Sequence, residues 1–296
     1  MNLIAQLEHV VDRKPEQTAI IFGDIQIDYK TFFESTSRLA RAFREMGINK
    51  GDRIAVLLPN VPHFCITYYA ALMSGAVTVP VNFMNSVNEI MHQLSDSEAQ
   101  IVISWHGFQK QVMVAASAAP LCRKIVFLGE HIPNNTESLT QLMSRHDPIQ
   151  ETIEIHPEDL AAINYTSGIA DVPLGAELTH YALLDSAATC REMFLITDDK
   201  RTISALPLFH PLGQTLIMNA TFIAGGTIIL QAHYSPEKLV QTIKNHKAHF
   251  MAAVPGVFRA MNALSLENAE LSSLKYCLSY GGKLDADTTD QFEEKY

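Results

Sequence analysis

The sequence predicts an α/β fold with a mostly parallel sheet, and two observations support this prediction. The first is a βαβ pattern, in which apolar strands over Arg53–Leu58 and Val77–Val81 flank a helix over Val61–Met73. Parallel neighbours need a crossover connection, which is usually a helix, so this order indicates a parallel sheet. The second is the length of 296 residues, which allows a large core in one large α/β domain or in two domains.

Three structural features are predicted before this unit. Apolar residues recur at helical spacing over residues 1–14, which indicates a first helix. Two short runs joined by Gly23 and Asp24 predict a hairpin over residues 18–22 and 25–29, because this dipeptide suits a tight antiparallel turn. A second helix over residues 31–46 is expected to end at Gly47, since glycine commonly follows a helix.

The alternation of strands and helices continues through the rest of the sequence. Strands are predicted over 101–104, 124–128, 160–164, 203–206, 227–230, 249–254 and 276–279, and helices over 87–95, 181–194, 238–245 and 288–294. Residues 133–157 are more polar, and we expect them to link a first lobe, residues 1–157, to a second lobe, residues 158–296.

Composition argues against several classes of function. A net charge of −10 argues against a nucleic-acid partner, because phosphate backbones are bound by clustered Lys and Arg. The cysteines are far apart and form no Cys-x-x-Cys pair, so neither a zinc knuckle nor a disulfide framework is indicated. They are Cys65, Cys122, Cys190 and Cys277. The expected location is therefore the reducing cytoplasm.

No targeting or membrane-spanning segment is expected. Residues 1–14 lack a basic start and carry Glu8 and Asp12, unlike a secretory signal. The most apolar stretch, residues 212–230, is interrupted by Gln214 and Asn219, so its apolar runs are too short to cross a bilayer.

A glycine-bearing stretch after the predicted strand 160–164 is the main candidate for a binding site. We expect a turn here between that strand and the helix 181–194. Backbone N–H groups converge in such turns, and Thr166 and Ser167 add hydroxyl groups. Gly168 and Gly175 would let a ligand approach the main chain. These features suit a polyphosphate, although a plain polar connection would have the same residue types.

The same stretch resembles the phosphate-binding loop of the adenylate-forming superfamily, which includes acyl-CoA synthetases, peptide-synthetase adenylation domains and luciferases. That loop reads Tyr-Thr-Ser-Gly, Thr-Thr-Gly, any residue, Pro-Lys-Gly, and usually ends in Thr-His. The matching residues are Tyr165, Thr166, Ser167, Gly168, Pro173, Gly175, Thr179 and His180. The resemblance implies that Thr166, Ser167, Gly168 and Gly175 belong to a cofactor-binding site for ATP.

The centre of the loop departs from the family pattern. The Thr-Thr-Gly triplet is replaced by Ile169, Ala170 and Asp171, and the lysine by Leu174. A carboxylate about 4 Å from a phosphate is repelled by roughly 4 kcal/mol at an effective dielectric of about 20. We therefore expect ATP binding by this chain to be weak.

Other segments extend the resemblance over the whole sequence. Gly51–Ala55 resembles the family's Gly-Asp-x-Val-Ala strand, and Gly75–Pro80 resembles its Ala-Gly-Ala-x-x-x-Pro turn. Pro207–His210 matches a Pro-Leu-Phe-His segment that borders the carboxylate pocket, which implies that Phe209 and His210 are substrate-site residues. Tyr280–Leu284 lies where the family has Gly-Ala-Ala-Pro-Leu against adenine and the acyl group. This implies cofactor-binding roles for Gly281 and Gly282, while Lys283 replaces the proline.

The resemblance implies stacked, mostly parallel sheets flanked by helices, in the two lobes of an incomplete N-terminal domain. It covers only about half of the family's length, so the adenine, magnesium and ribose segments and the C-terminal lysine-bearing domain are expected to be absent. The family joins a carboxylic acid, here expected to be a fatty acid, to a thiol such as coenzyme A, with ATP and Mg²⁺. No catalytic residue and no metal ligand is assigned to this chain.

Three functional hypotheses follow. The chain is the N-terminal part of an acyl-CoA synthetase, weak or inactive alone; or it is a catalytically silent homologue that binds an acyl group or a protein; or it is an α/β domain without a retained ligand. The expected open sheet edge further predicts a homo-oligomer or a second polypeptide there, because unpaired strands associate with other chains.

Overall fold

The structure is a computed structural model that describes residues 1–149, 153–166, 172–265 and 271–296. Its strands are β1 (Thr18–Phe22), β2 (Ile25–Asp28), β3 (Arg53–Leu57), β4 (Val77–Pro80), β5 (Ala99–Trp105), β6 (Lys124–Leu128), β7 (Glu137–Ser138), β8 (Leu160–Tyr165), β9 (Gly175–Thr179), β10 (Arg201–Ser204), β11 (Thr227–Leu230), β12 (Phe250–Ala253) and β13 (Tyr276–Ser279).

The helices alternate with these strands. They are α1 (Leu3–Arg13), α2 (Tyr29–Glu45), α3 (Pro62–Met73), α4 (Val87–Asp96), α5 (Gln109–Ala118), α6 (Leu139–Arg145), α7 (His180–Met193), α8 (Ala220–Ala224), α9 (Pro236–His246), α10 (Pro255–Asn262) and α11 (Ala286–Lys295). A short 3₁₀ turn at His106–Phe108 and a π-helical segment at Gly213–Asn219 complete the described part.

The described strands form two sheets. The first sheet has the order β7-β6-β5-β3-β4-β8-β9, and the second has the order β13-β12-β10-β11-β1-β2. Within each sheet the neighbours are parallel, except for the antiparallel hairpins β1–β2 and β8–β9 at their ends. The predicted α/β class with two mostly parallel sheets flanked by helices is therefore confirmed.

Strand periodicity separates the core into layers. In β3, Ile54 and Val56 point to one side and join the central core, while Ala55 and Leu57 point to the other side and join a separate cluster. In the second sheet, Ile20 likewise joins the central core and its neighbour Ile21 a third cluster. Both sheets are thus apolar on two faces, as expected when helices cover each side.

The middle layer between the sheets contains α3, whose side chains are buried almost all round, and α8. Aromatic rings dominate it: Phe222 lies 4.8 Å from Phe32 and 5.6 Å from Tyr69, measured between ring centroids. Two tyrosine hydroxyl groups donate hydrogen bonds within this layer: Tyr69 Oη to Asn219 Oδ1 at 3.0 Å, and Tyr29 Oη to Gly226 O at 2.7 Å. These contacts fix α2, α3 and α8 relative to each other.

The expected linker over residues 133–157 contains regular structure. The strand β7 and the helix α6 lie within it, and Leu139 and Leu142 are buried against the core. Polar composition concealed this short helix, which has only these two fully buried positions.

The division of the chain at residue 157 does not coincide with the division between the sheets. The strands β8 and β9 follow that residue and pair in the first sheet, whereas β1 and β2 precede it and pair in the second. The assignment of residues 1–157 and 158–296 to two lobes stays a prediction. Among the described residues, no helix combines the length and apolarity needed to span a bilayer.

Candidate functional site

The stretch after β8 forms a hairpin and not a strand-to-helix turn, so the predicted turn is wrong. Tyr165 pairs with Gly175, and the Thr166 N–H donates to Leu174 O at 3.0 Å. The helix α7 begins only at His180, after the whole length of β9, where Thr179 Oγ1 accepts from the Ala182 N–H at 3.1 Å. Its N-terminal N–H groups are thus about 14–17 Å along β9 from the loop, too far to assist a ligand there.

Part of the predicted phosphate loop falls in a gap of the described chain. Ser167 and Gly168 lie outside the described residues, together with Ile169, Ala170 and Asp171. The hairpin on either side of them is held to α4. Tyr165 Oη donates to Asp96 Oδ2 at 2.6 Å, and the His92 ring nitrogen lies 3.0 Å from Pro173 O.

A cleft of about 890 Å³ lies beside this hairpin. Five segments of the described chain border it: the hairpin, α4 with the loop before it, α7, the segment 209–215, and Tyr280. The cleft therefore collects residues that are more than a hundred positions apart in the sequence. Its size is that of a small-molecule site.

Three of the predicted site residues meet in this cleft, namely Thr166, Phe209 and His210. Gly175 lies beside the cleft-lining Ala176, and its lack of a side chain serves packing, because a Cβ atom there would lie 2.7 Å from Ile163 Cγ2.

Gly281 and Gly282 directly follow the cleft-lining Tyr280 without lining the cleft themselves. Side chains at these two positions would approach Val254 and Pro255, respectively. Their predicted role as cofactor-binding residues stays a prediction.

His210 is a neutral hydrogen-bonding group in this environment. Partial burial lowers its pKa below the ordinary histidine value. Its Nδ1 accepts the Leu212 N–H at 3.2 Å, which leaves the proton on Nε2. The ring also packs edge-on against Tyr280, with 5.7 Å between centroids. His210 can thus donate one hydrogen bond but supplies no fixed positive charge.

Two buried amides, the cleft-lining Asn164 and its partner Gln214, were not assigned a role from the sequence. Gln214 Nε2 donates to Asn164 Oδ1 at 3.2 Å and to Phe209 O at 3.1 Å. Asn164 lines the cleft, and within the described chain its Nδ2 group has no hydrogen-bond partner. Gln214 belongs to the π-helical segment, a geometry often found at functional sites. In the sequence, the one sign of this group was that Gln214 interrupts the apolar stretch 212–230.

Phe209 lines the cleft and is backed by two further aromatic rings that do not line it. Phe209 lies edge-on to Phe83 with 5.3 Å between ring centroids, and Phe83 stacks on Phe108 at 5.1 Å. Leu178 and Leu212 continue this surface along the cleft. An apolar group of a ligand would lose contact with water here and pack against rings.

The described lining of the cleft does not fit a magnesium–triphosphate group. Its one charged residue is the carboxylate Glu89, and it includes neither lysine nor arginine. Hydrogen bonds from Ser86 lower the pKa of Glu89, so this group is ionised at neutral pH. The undescribed residues 167–171 add Asp171 and no cation by sequence. No cluster of three or more His, Cys, Asp or Glu suited to a metal occurs among the described residues.

The sequence profile of the family described as AMP-binding enzyme matches residues 7–296. The chain belongs to the AMP-binding enzyme family. The predicted resemblance is thereby confirmed, including its coverage of nearly the whole sequence. Among curated members of the AMP-binding family, a long-chain-fatty-acid–CoA ligase of Bacillus subtilis (strain 168) is 27% identical over 310 residues. That alignment covers 95% of this chain and 55% of the ligase, so the chain spans about half the length of this relative.

Solved structures of AMP-binding enzymes superpose on most of the chain. The anthranilate CoA ligase AuaEII in complex with anthranoyl-AMP gives a TM-score of 0.92 at 20% identity, over 99% of this chain and 57% of that one. ATP-bound MatB from Rhodopseudomonas palustris gives 0.87 at 25% identity, over 100% and 58%. The first likeness supports the fold alone.

Proposed function

We propose that this chain forms the acid-binding cleft of an acyl-CoA synthetase-type ligase, and that it binds ATP weakly on its own. The observation that supports this most directly is the cleft, which is lined by the apolar side chains of Phe209, Leu178 and Leu212, by the amide of Asn164, and by no described cation. Such a lining suits the apolar body and polar head of a carboxylic acid better than a polyphosphate.

The acid is proposed to lie with its apolar part along Phe209, Leu178 and Leu212. Asn164 Nδ2 and His210 Nε2 are the groups available to donate hydrogen bonds to its carboxylate or to another polar atom. A fatty acid is the proposed substrate class, in line with the name of the Bacillus relative, and CoA the proposed thiol acceptor. The name of AuaEII makes an aromatic acid the competing choice.

Weak ATP binding follows from charge. The related MatB binds ATP in its crystal structure. In this chain, Thr166 contributes a hydroxyl group and Leu174, which is 67% exposed, stands where the family pattern has lysine. Ser167, Gly168, Gly281 and Gly282 are proposed to face the nucleotide. Without a cation nearby, ionised phosphates are held mainly by backbone and hydroxyl donors, which are weaker partners.

The test has two parts that separate the acid from ATP. Calorimetric titration with a panel of fatty and aromatic acids should show binding without ATP, with fatty acids preferred. Phe209→Ala should weaken that binding, whereas Phe33→Ala should not, because Phe33 is a partly buried aromatic residue outside the cleft. If neither variant loses acid binding, the cleft is not the acid-binding site.

The second part is ATP–pyrophosphate exchange with the same acids. We expect no exchange above background. Rapid exchange by this chain alone would contradict the proposed weak ATP binding. It would not contradict the proposed acid-binding site.

A second candidate function is a catalytically silent homologue that binds an acyl group or a protein. The substituted loop favours it, since Val172 and Leu174 expose apolar side chains, 52% and 67% respectively, where a phosphate site would be polar. A homo-oligomer or second polypeptide at the β13 edge belongs to this proposal, because in the described sheet β13 pairs with β12 alone. Light scattering that gives a monomer at all concentrations would count against it. Cytoplasmic location stays a prediction.

A further inference from the structure

A second cavity, of about 690 Å³, lies away from the cleft. It is bordered by α1, by the C-terminal end of α7 with the residues after it, and by the turn from α8 to β11. None of its lining residues lines the cleft. We call it the basic cavity, because Arg13, Lys14 and Arg191 line it.

The charge of the basic cavity is opposite to that of the chain. Asp198 is the one carboxylate among the lining residues, and it is already paired with Lys14. Arg13 makes no ion pair or side-chain hydrogen bond within the described ranges. Arg191 has only a 3.4 Å contact with the adjacent Glu192, whose side chain is 74% exposed. Two guanidinium groups are therefore available in a protein whose net charge is −10.

The backbone oxygens around this cavity are covered. Carbonyl groups at a helix C-terminus carry partial negative charge and would repel an anion. Here Gln6 Nε2 donates to Ile223 O at 3.3 Å, and Gln17 Nε2 donates to the carbonyls of Gly225 and Asp198. These amides satisfy the carbonyl groups of Ile223, Gly225 and Asp198.

One side of the basic cavity is apolar and closely packed. Val10, Ile196 and Ile223 line it. Gly225 adopts a left-handed conformation, with φ of +76°, and a Cβ atom there would lie 3.4 Å from Val10 Cγ1. The turn after α8 thus lies within van der Waals reach of α1. A ligand for this cavity would combine an anionic head with an apolar body.

We propose that the basic cavity binds a phosphate-bearing small molecule. Arg13 and Arg191 would hold the phosphate, and Val10 and Ile223 would contact the remainder of the ligand. A phosphate suits this pair because its three free oxygens and up to two negative charges can accept from two guanidinium groups, which exceed the needs of one carboxylate.

Calorimetric titration of the full chain with hexyl phosphate, inorganic pyrophosphate and hexanol tests this proposal. Hexyl phosphate should bind most tightly, pyrophosphate more weakly, and hexanol undetectably. Arg13→Gln and Arg191→Gln should each reduce the affinity for hexyl phosphate about tenfold, which is the usual effect of losing a charge-assisted hydrogen bond. Binding should also weaken at high salt.

Matched variants separate this cavity from other binding modes. Arg145→Gln removes an exposed arginine that does not line the cavity, and Asn164→Ala alters the cleft; neither should change hexyl phosphate affinity. Thermal unfolding of each variant checks that it is folded.

Three results with variants would overturn the proposal. These are an equal loss with Arg145→Gln, a loss with Asn164→Ala, and full binding by folded Arg13→Gln and Arg191→Gln. Binding to phosphatidylglycerol vesicles without binding to hexyl phosphate would also overturn it, since that would indicate a membrane surface as the partner.

Discussion

The middle layer and the β8–β9 hairpin differ in how far their side chains are buried. In the middle layer, Phe32, Tyr69 and Phe222 are fully buried and in ring contact. On the hairpin, Gly175, Ala176 and Glu177 are exposed, and the loop beside them carries the departures from the family pattern. The packing of the AMP-binding fold in the middle layer thus occurs in a chain whose sequence departs from the family pattern at residues 169–171 and 174.

The largest expected effect breaks the middle layer. Phe222→Ala removes a ring that contacts three other aromatic side chains, and it should lower the free energy of unfolding by about 3–5 kcal/mol. Leu174→Ala, at an exposed position on the hairpin, should change it by less than about 0.5 kcal/mol. Urea denaturation measures both. Similar changes in the free energy of unfolding for the two variants would contradict the larger stabilising role of the middle layer.

His180, at the end of the hairpin, provides a test by pH. Burial is the main cause that lowers its pKa from 6.5 to about 4, and its Nδ1 has no hydrogen-bond partner in the described structure. The unfolded chain therefore binds a proton at a higher pH than the folded chain does. The contribution of His180 to the free energy of unfolding is fully present above pH 6.5. It is lost as the pH falls toward 4, which lowers the free energy of unfolding by up to about 3 kcal/mol.

The variant His180→Gln should remove this part of the pH dependence. Denaturant midpoints measured between pH 7 and 4 should fall less steeply for the variant than for the unchanged chain. His131→Gln is the matched control, since that histidine is exposed. Parallel pH profiles for the His180 variant and the unchanged chain would show that folding does not lower the pKa of His180.

Rebuilding the hairpin loop should change ligand binding and leave stability unchanged. The variant Ile169→Thr, Ala170→Thr, Asp171→Gly and Leu174→Lys restores the family pattern. We expect ATP affinity to rise about a hundredfold, because a repulsion of roughly 4 kcal/mol is removed and a cation is added, with partial screening by solvent. Equilibrium dialysis with ATP measures this change.

Asp171→Asn alone is the control for charge in that experiment. It should give only part of the gain, since it adds no cation. If the rebuilt loop leaves ATP affinity unchanged, the cleft itself excludes the nucleotide and the loop is not the cause.

The smallest expected effect concerns Asn164, which lies on β8 and lines the cleft. Asn164→Ala removes a cleft-lining side chain whose buried Nδ2 group has no hydrogen-bond partner among the described residues. Affinity for the carboxylic acid should fall by about tenfold at most, the loss expected for one hydrogen bond. Calorimetry measures this change, with Asn245→Ala, on α9 outside the cleft, as the control. An unchanged affinity would mean that the acid head does not reach Asn164.

Local patterns in the sequence determined the elements and the class of the fold. Strands at 124–128, 227–230 and 276–279 have the predicted bounds, and the βαβ order around α3 yields the predicted parallel pairing of β3 and β4. These features follow from side-chain periodicity and from the need for a crossover between parallel strands, both of which can be read within a few dozen residues.

Only the tertiary structure decided which strands pair and which side chains meet. Nothing local required β9 to return along β8, or Ile20 to pair with Ile228 across more than two hundred residues. The same holds for the meeting of Arg13 with Arg191 in one cavity and of Asn164 with Gln214 in the other. Edge strands and polar side chains satisfy their hydrogen bonds with partners chosen by the packing of the whole chain, and this choice leaves no periodic signal in the sequence.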